Sequence, residues 1–476
     1  MDIDRQSLRA SGFRSHADSS RRGLIDRAGP ADLTVLAADH ASVPMNLGAI
    51  LIFDGAGPSP AEVRTLLHER VPRVPRLRQA LRRTPFGCGR PIWVDDPTFS
   101  VDRHLTHLRW PEPATRRALF DIATDLLCRP FAPDLPLWQA YSVTGTGRAA
   151  LVVVLHHVLA DGLGSLAVLT ALADEGNHAA VARFPHPAPN IRELAVDATL
   201  AKLHAIGSLA ADLRRGCAGL RELTFGAPLL RPAERISLIR PTTHRRRLAS
   251  TAVALNEVAA TAHRFGGTVN DVVLAAVTGA LLEILDARGE RPHRLVMSIP
   301  VSGRRTATAS DLGNDTGVRP LAVPAITDDP ARLAAIVAAT TAARGSSTRA
   351  SSARPLGSAF RLLHRFGLFR LFIDHQRLVH TFETNLRGPG TALHLAGHRI
   401  DALVPLVATP GNVGVTFAVL SYAGTLTVNT IADPGILPEQ DTLTRALHAT
   451  FTRLAHAGRE SPARRSRAPG IGPSRE

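Results

Sequence analysis

Two adjacent histidines, His156 and His157, followed at a short interval by Asp161-Gly162, are the residues of this chain best suited to chemistry. They close the apolar run Leu151-Val152-Val153-Val154-Leu155 and precede Leu159-Ala160-Asp161-Gly162-Leu163-Gly164. An imidazole titrates near neutral pH, so a histidine at a strand end can take the proton of a hydroxyl as that hydroxyl attacks. Successive side chains on a strand point to opposite faces, so one histidine can face open space while the other packs inward. Asp161 stands where a helix begins. Its carboxylate can cap that helix, or hold the loop by pairing with an arginine from elsewhere. Gly162 and Gly164 give the backbone room to turn. The same residues also fit a packed histidine pair beside an ordinary N-cap aspartate, and the residue types alone do not choose. Metal binding is disfavoured, because adjacent histidines rarely converge on one ion and no third ligand is suitably spaced.

The elements that must position this group follow from periodicity. A strand over Leu47–Phe53 and a capped helix over Ser59–Val71 come first, then a helix in "PATRRALFDIATDLLCR". Strands at "LWQAYSV" and "AALVVVL" lead into the histidine pair, and "LADGLGSLAVLTALADEG" turns into a helix. The proline-broken "AVARFPHPAPNIREL" marks a boundary, and a basic amphipathic stretch follows it. The second half holds a strand at "RRRLASTAVAL", a long helix in "TVNDVVLAAVTGALLEILDARG", strands at "HRLVMSIPV" and "GVRPLAVP", and a helix in "PARLAAIVAATTAAR". The alternating run around Tyr422-Ala423-Gly424 predicts a hairpin. Strand-helix-strand order in both halves predicts an α/β fold of two similar domains. The expected division is residues 1–28 disordered, 29–180 an N-terminal domain, 181–245 a helical linker, 246–456 a C-terminal domain, and 457–476 a disordered basic tail.

At 476 residues, with 45% hydrophobic content, the chain suits about two soluble domains. Its net charge of +15, almost all of it arginine, favours anionic partners such as phosphate-bearing cosubstrates or acidic lipid surfaces. Nucleic acid is disfavoured, because aromatics are only 4% and none interleave with the basic residues as a stacking platform. Cys88, Cys128 and Cys217 are scattered and odd in number, which argues against a disulfide framework and for a reducing cytosol. Neither a signal peptide nor a transmembrane run is expected, so membrane contact would be peripheral.

"LHHVLADG" resembles the HHxxxDG motif of the CoA-dependent acyltransferase superfamily, which includes chloramphenicol acetyltransferases and peptide-synthetase condensation domains. Further stretches resemble one branch, the bacterial wax ester synthase/diacylglycerol acyltransferase family. "GRPIWVDDPTFSVDRHL" is one, and "RPFAPDLPLWQ" carries the family's PLW motif at Pro136, Leu137 and Trp138. "GGTVNDVVLAAVTGAL" carries its ND motif at Asn270 and Asp271. "MSIPVSGR", "LGNDTGV" with Gly313 and Asn314, "TNLRGPG" with Asn385, and "VPLVATPGNVGVTFAVLSYAG" follow in the family's order. The likeness runs from about Asp32 into the 440s. It implies two similar chloramphenicol-acetyltransferase-like domains, mixed sheets flanked by helices, with an active-site channel between them. It also implies direct transfer of a long-chain acyl group from acyl-CoA, as cosubstrate rather than resident cofactor, to diacylglycerol or a fatty alcohol. His157 would be the general base, His156 supporting, and Asp161 and Gly162 the structural turn. Asn270, Asp271, Pro136, Leu137, Trp138 and Asn385 would face substrate.

Each lesser motif has a plainer reading. Thr268 and Asp271 have the spacing of a capping box, Trp138 suits a core, and "TNLRGPG" suits a tight turn. The chain departs from the family pattern at Arg387, where proline is common, and at Gln139, which replaces an acidic residue. The serine expected after Asn314 is missing too. Those departures leave the acceptor open, with a specialised metabolite or a non-catalytic lipid-surface protein as alternatives. "PLGSAFRLLHRFGLFRLFIDHQRLVH" (Pro355 to His380) predicts a basic amphipathic helix that lies in an acidic lipid interface or packs on its own sheet. The expected location is the cytoplasm, at the inner membrane face or at lipid inclusions.

Overall fold

Strand β6 (Arg148–His156) is the axis on which the first half is assembled. The computed structural model describes residues 25–39, 44–176, 183–204, 232–302, 308–310, 312–314, 316–345, 363 and 366–460. Along β6, Leu151, Val153 and Leu155 enter one apolar cluster while Ala150, Val152 and Val154 enter another. A strand buried on both faces reads as an unbroken apolar run, which explains the sequence ahead of the histidines. β6 pairs antiparallel with β1 (Asn46–Phe53) on one side and with β5 (Trp138–Gly145) on the other. β4 (Leu105–Arg109) adds to β5 in parallel. A short separate ribbon, β2 (Gln79–Arg82) with β3 (Ile92–Asp95), stands beside this sheet.

Helix ends in this half are set by side chains. α1 (Pro30–Ala38) carries Asp32 in its first turn, and α2 (Pro60–Arg70) has a Ser59–Glu62 capping box. α3 (Arg116–Leu127) is capped by Thr115. α4 (Gly162–Leu172) is capped by Asp161, whose Oδ1 accepts from Gly164 N–H at 2.9 Å. Residues 191–204 form α5.

The second half builds another six-stranded mixed sheet, in the order β7 (Arg247–Ala254), β14 (Thr425–Ala432), β13 (Val415–Tyr422), β10 (Thr381–Arg387), β8 (Arg294–Ser302), β9 (Thr316–Pro324). β13 and β14 form the expected hairpin, and its tip, Ala423 and Gly424, has φ of +46° and +83°. That conformation favours a primed hairpin turn. α6 (Leu255–Arg264), α7 (Val269–Ala287), α8 (Asp329–Gly345) and a long C-terminal helix cover one face of the sheet. α7 is buried nearly all round, in keeping with its apolar sequence.

The described residues bear on three expectations. The sheets do not follow the split at residues 181–245. β11 (His394–Leu395) and β12 (His398–Leu406), from the second half, complete the first sheet beside β1. Ile400, Leu403, Val404 and Leu406 of β12 sink into the first half's two clusters, at about 2 kcal/mol each. Of the 181–245 segment, 191–204 are helical, 183–190 and 232–245 are irregular or turn, and 181–182 and 205–231 lie outside the described residues. Of the helix expected over 355–380, residue 363 and the six-residue α9 (Phe369–Asp374) are helical and a turn at 366–367 lies between them, while 355–362, 364 and 365 lie outside the described residues. The expected disordered ends, 1–24 and 461–476, also lie outside them.

Candidate active site

The two histidines are separated by two different backbone anchors. His156 N–H donates to Leu137 O at 2.9 Å, while His157 N–H donates to Met45 O at 2.8 Å. The chain leaves β6 between them, and the rings diverge. His156 is 5% exposed. Its Nδ1 accepts from Val158 N–H at 3.1 Å, its Nε2 lies 3.4 Å from Asp39 Oδ2, and Phe131 packs edge-on against it. Both nitrogens are therefore occupied within the protein, which suits a supporting role.

His157 keeps part of its surface open. Its Nδ1 lies 3.0 Å from Asn314 Oδ1. Asn314 Nδ2 is 2.8 Å from both Asp32 Oδ1 and the His157 carbonyl oxygen. Those two neighbours can only accept, so the amide nitrogen must face them and the amide oxygen must face the ring. An oxygen cannot donate. The ring proton is therefore on Nδ1, and Nε2 carries the lone pair. Burial pushes the His157 pKa below the ordinary imidazole value, and His156 adds to the lowering. The residue's own carbonyl, the Asp161 carboxylate and the Asn314 amide pull the other way. The net result is a neutral base at neutral pH.

Asp161 is 1% exposed and caps α4, so it fixes the turn that follows His157. At Gly162 a Cβ would come within 3.1 to 3.6 Å of the Leu386 side chain on β10. The two halves thus meet at the first residue of α4, and Asn314 crosses the same seam.

The remaining candidates divide. Asn385 Nδ2 donates to Asn270 Oδ1 at 2.8 Å, tying β10 to the first turn of α7. Both side chains are half-buried, and no hydrogen bond joins this pair to His157. Asp271 is buried and engaged on both oxygens: one closes the capping box with Thr268 N–H and hydroxyl, and the other accepts from Thr340 of α8 at 2.7 Å. Trp138 is likewise walled in, at 1% exposure. It stacks on His104 with centroids 4.6 Å apart, and its indole N–H donates to Leu77 O at 2.7 Å. Pro136 and Leu137 are buried, and act through the Leu137 carbonyl that holds His156. The PLW residues thus hold the end of β6 in place. Gln139 donates to Arg103 O at 3.3 Å, and Arg387 ends β10 at the surface. Sequence reasoning missed the roles of Asn314 and Asp32. Asn314 stood in a motif with no assigned chemistry, and Asp32 marked only the start of the family likeness.

A cavity of about 260 Å³ lies elsewhere, among β7, α6, α7 and the C-terminal helix, lined by Val253, Val258, Val272 and Phe451 with Thr261 and His448. It includes none of the residues above.

Comparison with known proteins places this geometry. A profile described as the wax ester synthase/diacylglycerol acyltransferase catalytic domain matches residues 29–273, and one described as the WS/DGAT C-terminal domain matches residues 312–455. A probable diacylglycerol O-acyltransferase of Mycobacterium tuberculosis is 29% identical over 426 residues, covering 87% of this chain and 91% of the relative. A second putative diacylglycerol O-acyltransferase from that species is 32% identical over 277 residues, or 56% of this chain and 59% of the relative. Among solved structures, the wax ester synthase/diacylglycerol acyltransferase of Marinobacter aquaeolei superposes with a TM-score of 0.67 at 19% identity, covering 91% of this chain and 100% of that one. The starter condensation domain of rhizomide synthetase, solved with C8-CoA, superposes at 0.62 and 16% identity, covering 93% and 97%.

Proposed function

The chain belongs to the wax ester synthase/diacylglycerol acyltransferase family, and on that premise we propose that it is an acyl-CoA-dependent O-acyltransferase. The acyl donor is a long-chain acyl-CoA, and the acceptor is the hydroxyl of diacylglycerol or of a long-chain alcohol. The single observation that carries the reading is His157 at the seam between the halves, a partly exposed residue with Nδ1 on Asn314 and no hydrogen-bond partner for Nε2 among the described residues.

The chemistry this arrangement supports is short. The acceptor hydroxyl gives its proton to His157 Nε2 as its oxygen attacks the thioester carbonyl carbon. The tetrahedral oxyanion collapses, the carbon–sulfur bond breaks, and the departing CoA thiolate takes the proton back from the imidazolium. Ester and free CoA thiol leave, and the histidine is restored. A thioester is already activated, so the protein's task is to position the reactants and to handle one proton.

The test is incubation of the purified protein with labelled palmitoyl-CoA and either diacylglycerol or a long-chain alcohol, followed by product analysis and CoA thiol release. Triacylglycerol or wax ester is expected. A folded protein that makes neither would overturn the reading.

The proposed location is the cytoplasmic face of a membrane or a lipid inclusion, reached by peripheral contact. Support comes from the exposed apolar side chains Val196, Leu200 and Leu203 on one stripe of α5, with Arg192 and Lys202 on the same helix. Phe86 at the tip of the β2–β3 ribbon, and Phe366, Leu368 and Leu371 around α9, are exposed as well. No single helix among the described residues is long and apolar enough to cross a bilayer.

A further inference from the structure

We infer that Asn314, held by Asp32, is the positioning residue that fixes the His157 tautomer, so that the base is assembled only when the two halves of the chain are docked. This rests on the acyltransferase reading and deepens it.

The argument is one of hydrogen-bond sense. A neutral imidazole has one donor nitrogen and one acceptor nitrogen, and only the acceptor can take a hydroxyl proton. Asn314 touches His157 twice: its Oδ1 faces Nδ1 at 3.0 Å, and its Nδ2 donates to the His157 carbonyl at 2.8 Å. A clamp on both the ring and the backbone of one residue sets the ring's rotation as well as its proton.

An asparagine can be built either way round, and Asp32 removes that freedom. Asp32 is 5% exposed. Its Oδ1 accepts from Asn314 Nδ2 at 2.8 Å, and its Oδ2 accepts from Gly29 N–H at 2.6 Å. A flipped amide would set oxygen against a buried carboxylate and against a carbonyl, so the observed orientation is enforced by electrostatics. The relay therefore runs from the N-cap of α1 through Asp32 and Asn314 to Nδ1, and leaves Nε2 as the proton acceptor. Asn314 lies between β8 and β9 in the second half, whereas His157 ends β6 in the first. A base read from the histidine motif alone lacks the group that orients it.

The wild-type protein is tested first by NMR, with isotope-labelled histidine ring nitrogens. The signal lost in His157→Ala is expected to be that of a neutral ring protonated on Nδ1. A ring protonated on Nε2 would overturn the inference.

Kinetics then separate positioning from substrate contact. Asn314→Ala is expected to lower kcat on the order of 10- to 100-fold, with KM for acyl-CoA and acceptor little changed. The acid limb of its rate profile should move to lower pH, because the Asn314 bond raises the His157 pKa. Asn314→Asp keeps an acceptor opposite Nδ1 but sets its second oxygen against the Asp32 carboxylate and the His157 carbonyl, so it should not restore turnover. If Asn314→Ala keeps the wild-type kcat and acid limb while His157→Ala is inactive, the inference falls and the acyltransferase reading stands. If His157→Ala retains full turnover, the reading falls and the inference goes with it.

Discussion

His157 and Glu383 are both ionisable side chains shifted by burial, one in each half of the chain, and they differ in what they meet there. His157 finds Asn314 on Nδ1, Met45 O on its backbone N–H and the Asp161 carboxylate nearby. Glu383, on β10, is 1% exposed, and neither carboxylate oxygen finds a hydrogen-bond partner among the described residues. Its register neighbour on β13 is Phe417, at the centre of the apolar cluster beneath α7. Burial pushes the two in opposite directions, His157 below its ordinary value and Glu383 up to about 8. Both are neutral at pH 7. Burial alone thus sets the charge state, and partners decide whether a neutral group has a usable direction for its proton. Only His157 has that direction.

Removing the partnered group should have the larger consequence. His157→Ala is expected to lower kcat by about 10²- to 10⁴-fold, the usual share of a general base, with little loss of stability because the ring is partly open. His156→Ala should show the reverse pattern, chiefly a lowered unfolding midpoint, because its ring is packed and its Nδ1 accepts the Val158 N–H. Turnover and unfolding curves on both variants decide the matter. A folded His156→Ala protein without activity, beside an active His157→Ala protein, would reverse the roles. In the wild type, the lowered His157 pKa means that the base form persists below pH 6.5, so kcat/KM should fall only on the acid side of the ordinary imidazole value.

The half of this comparison that sequence could show is the local half. β6, the histidine turn and α4 are legible because an apolar run, an N-cap acid and a turn glycine are written within one segment. The β13–β14 hairpin is legible for the same reason. Asn314 is not, because its bond to His157 spans 157 positions and no local periodicity encodes it. The insertion of β12 beside β1 is hidden likewise: pattern marks a strand but not its neighbour. Trp138 and Asp271 were left open for another reason. Their residue types suit either packing or substrate contact, and the deciding facts, the Leu77 carbonyl and the Thr340 hydroxyl, lie on other elements. Glu383 could not have been singled out, since a glutamate between a phenylalanine and a threonine also fits a strand with one wet face.

Glu383 sharpens the comparison through stability. Its folded-state pKa of about 8 stands above the ordinary 4.5, so between those values the folded protein holds a proton that the unfolded chain has lost. Stability therefore falls as pH rises through that window. The loss is about 3 kcal/mol at pH 7 and approaches about 5 kcal/mol above pH 8. Glu383→Gln removes the titration and keeps the shape. Its unfolding free energy should match wild type near pH 4.5 and exceed it by about 3 kcal/mol at pH 7. Denaturant unfolding at both pH values checks this, and equal curves at pH 7 would mean that the carboxylate has found a partner.

Asp161 supplies the control for that experiment, since it is a carboxylate just as buried, at 1% exposure, but with work to do. Its Oδ1 caps α4 through Gly164 N–H, and its charge helps to hold up the His157 pKa. Asp161→Ala should cost about 1 kcal/mol of stability, the typical worth of an N-cap, where removing the Glu383 charge adds stability. Asp161→Asn keeps an oxygen for the cap but drops the charge. It should restore the helix while moving the acid limb of kcat/KM to slightly lower pH. Unfolding midpoints and pH–rate profiles on the two variants separate cap from charge. If Asp161→Asn left the limb unmoved, Asp161 would act on His157 through backbone geometry alone, and the difference between the two buried carboxylates would reduce to hydrogen bonding.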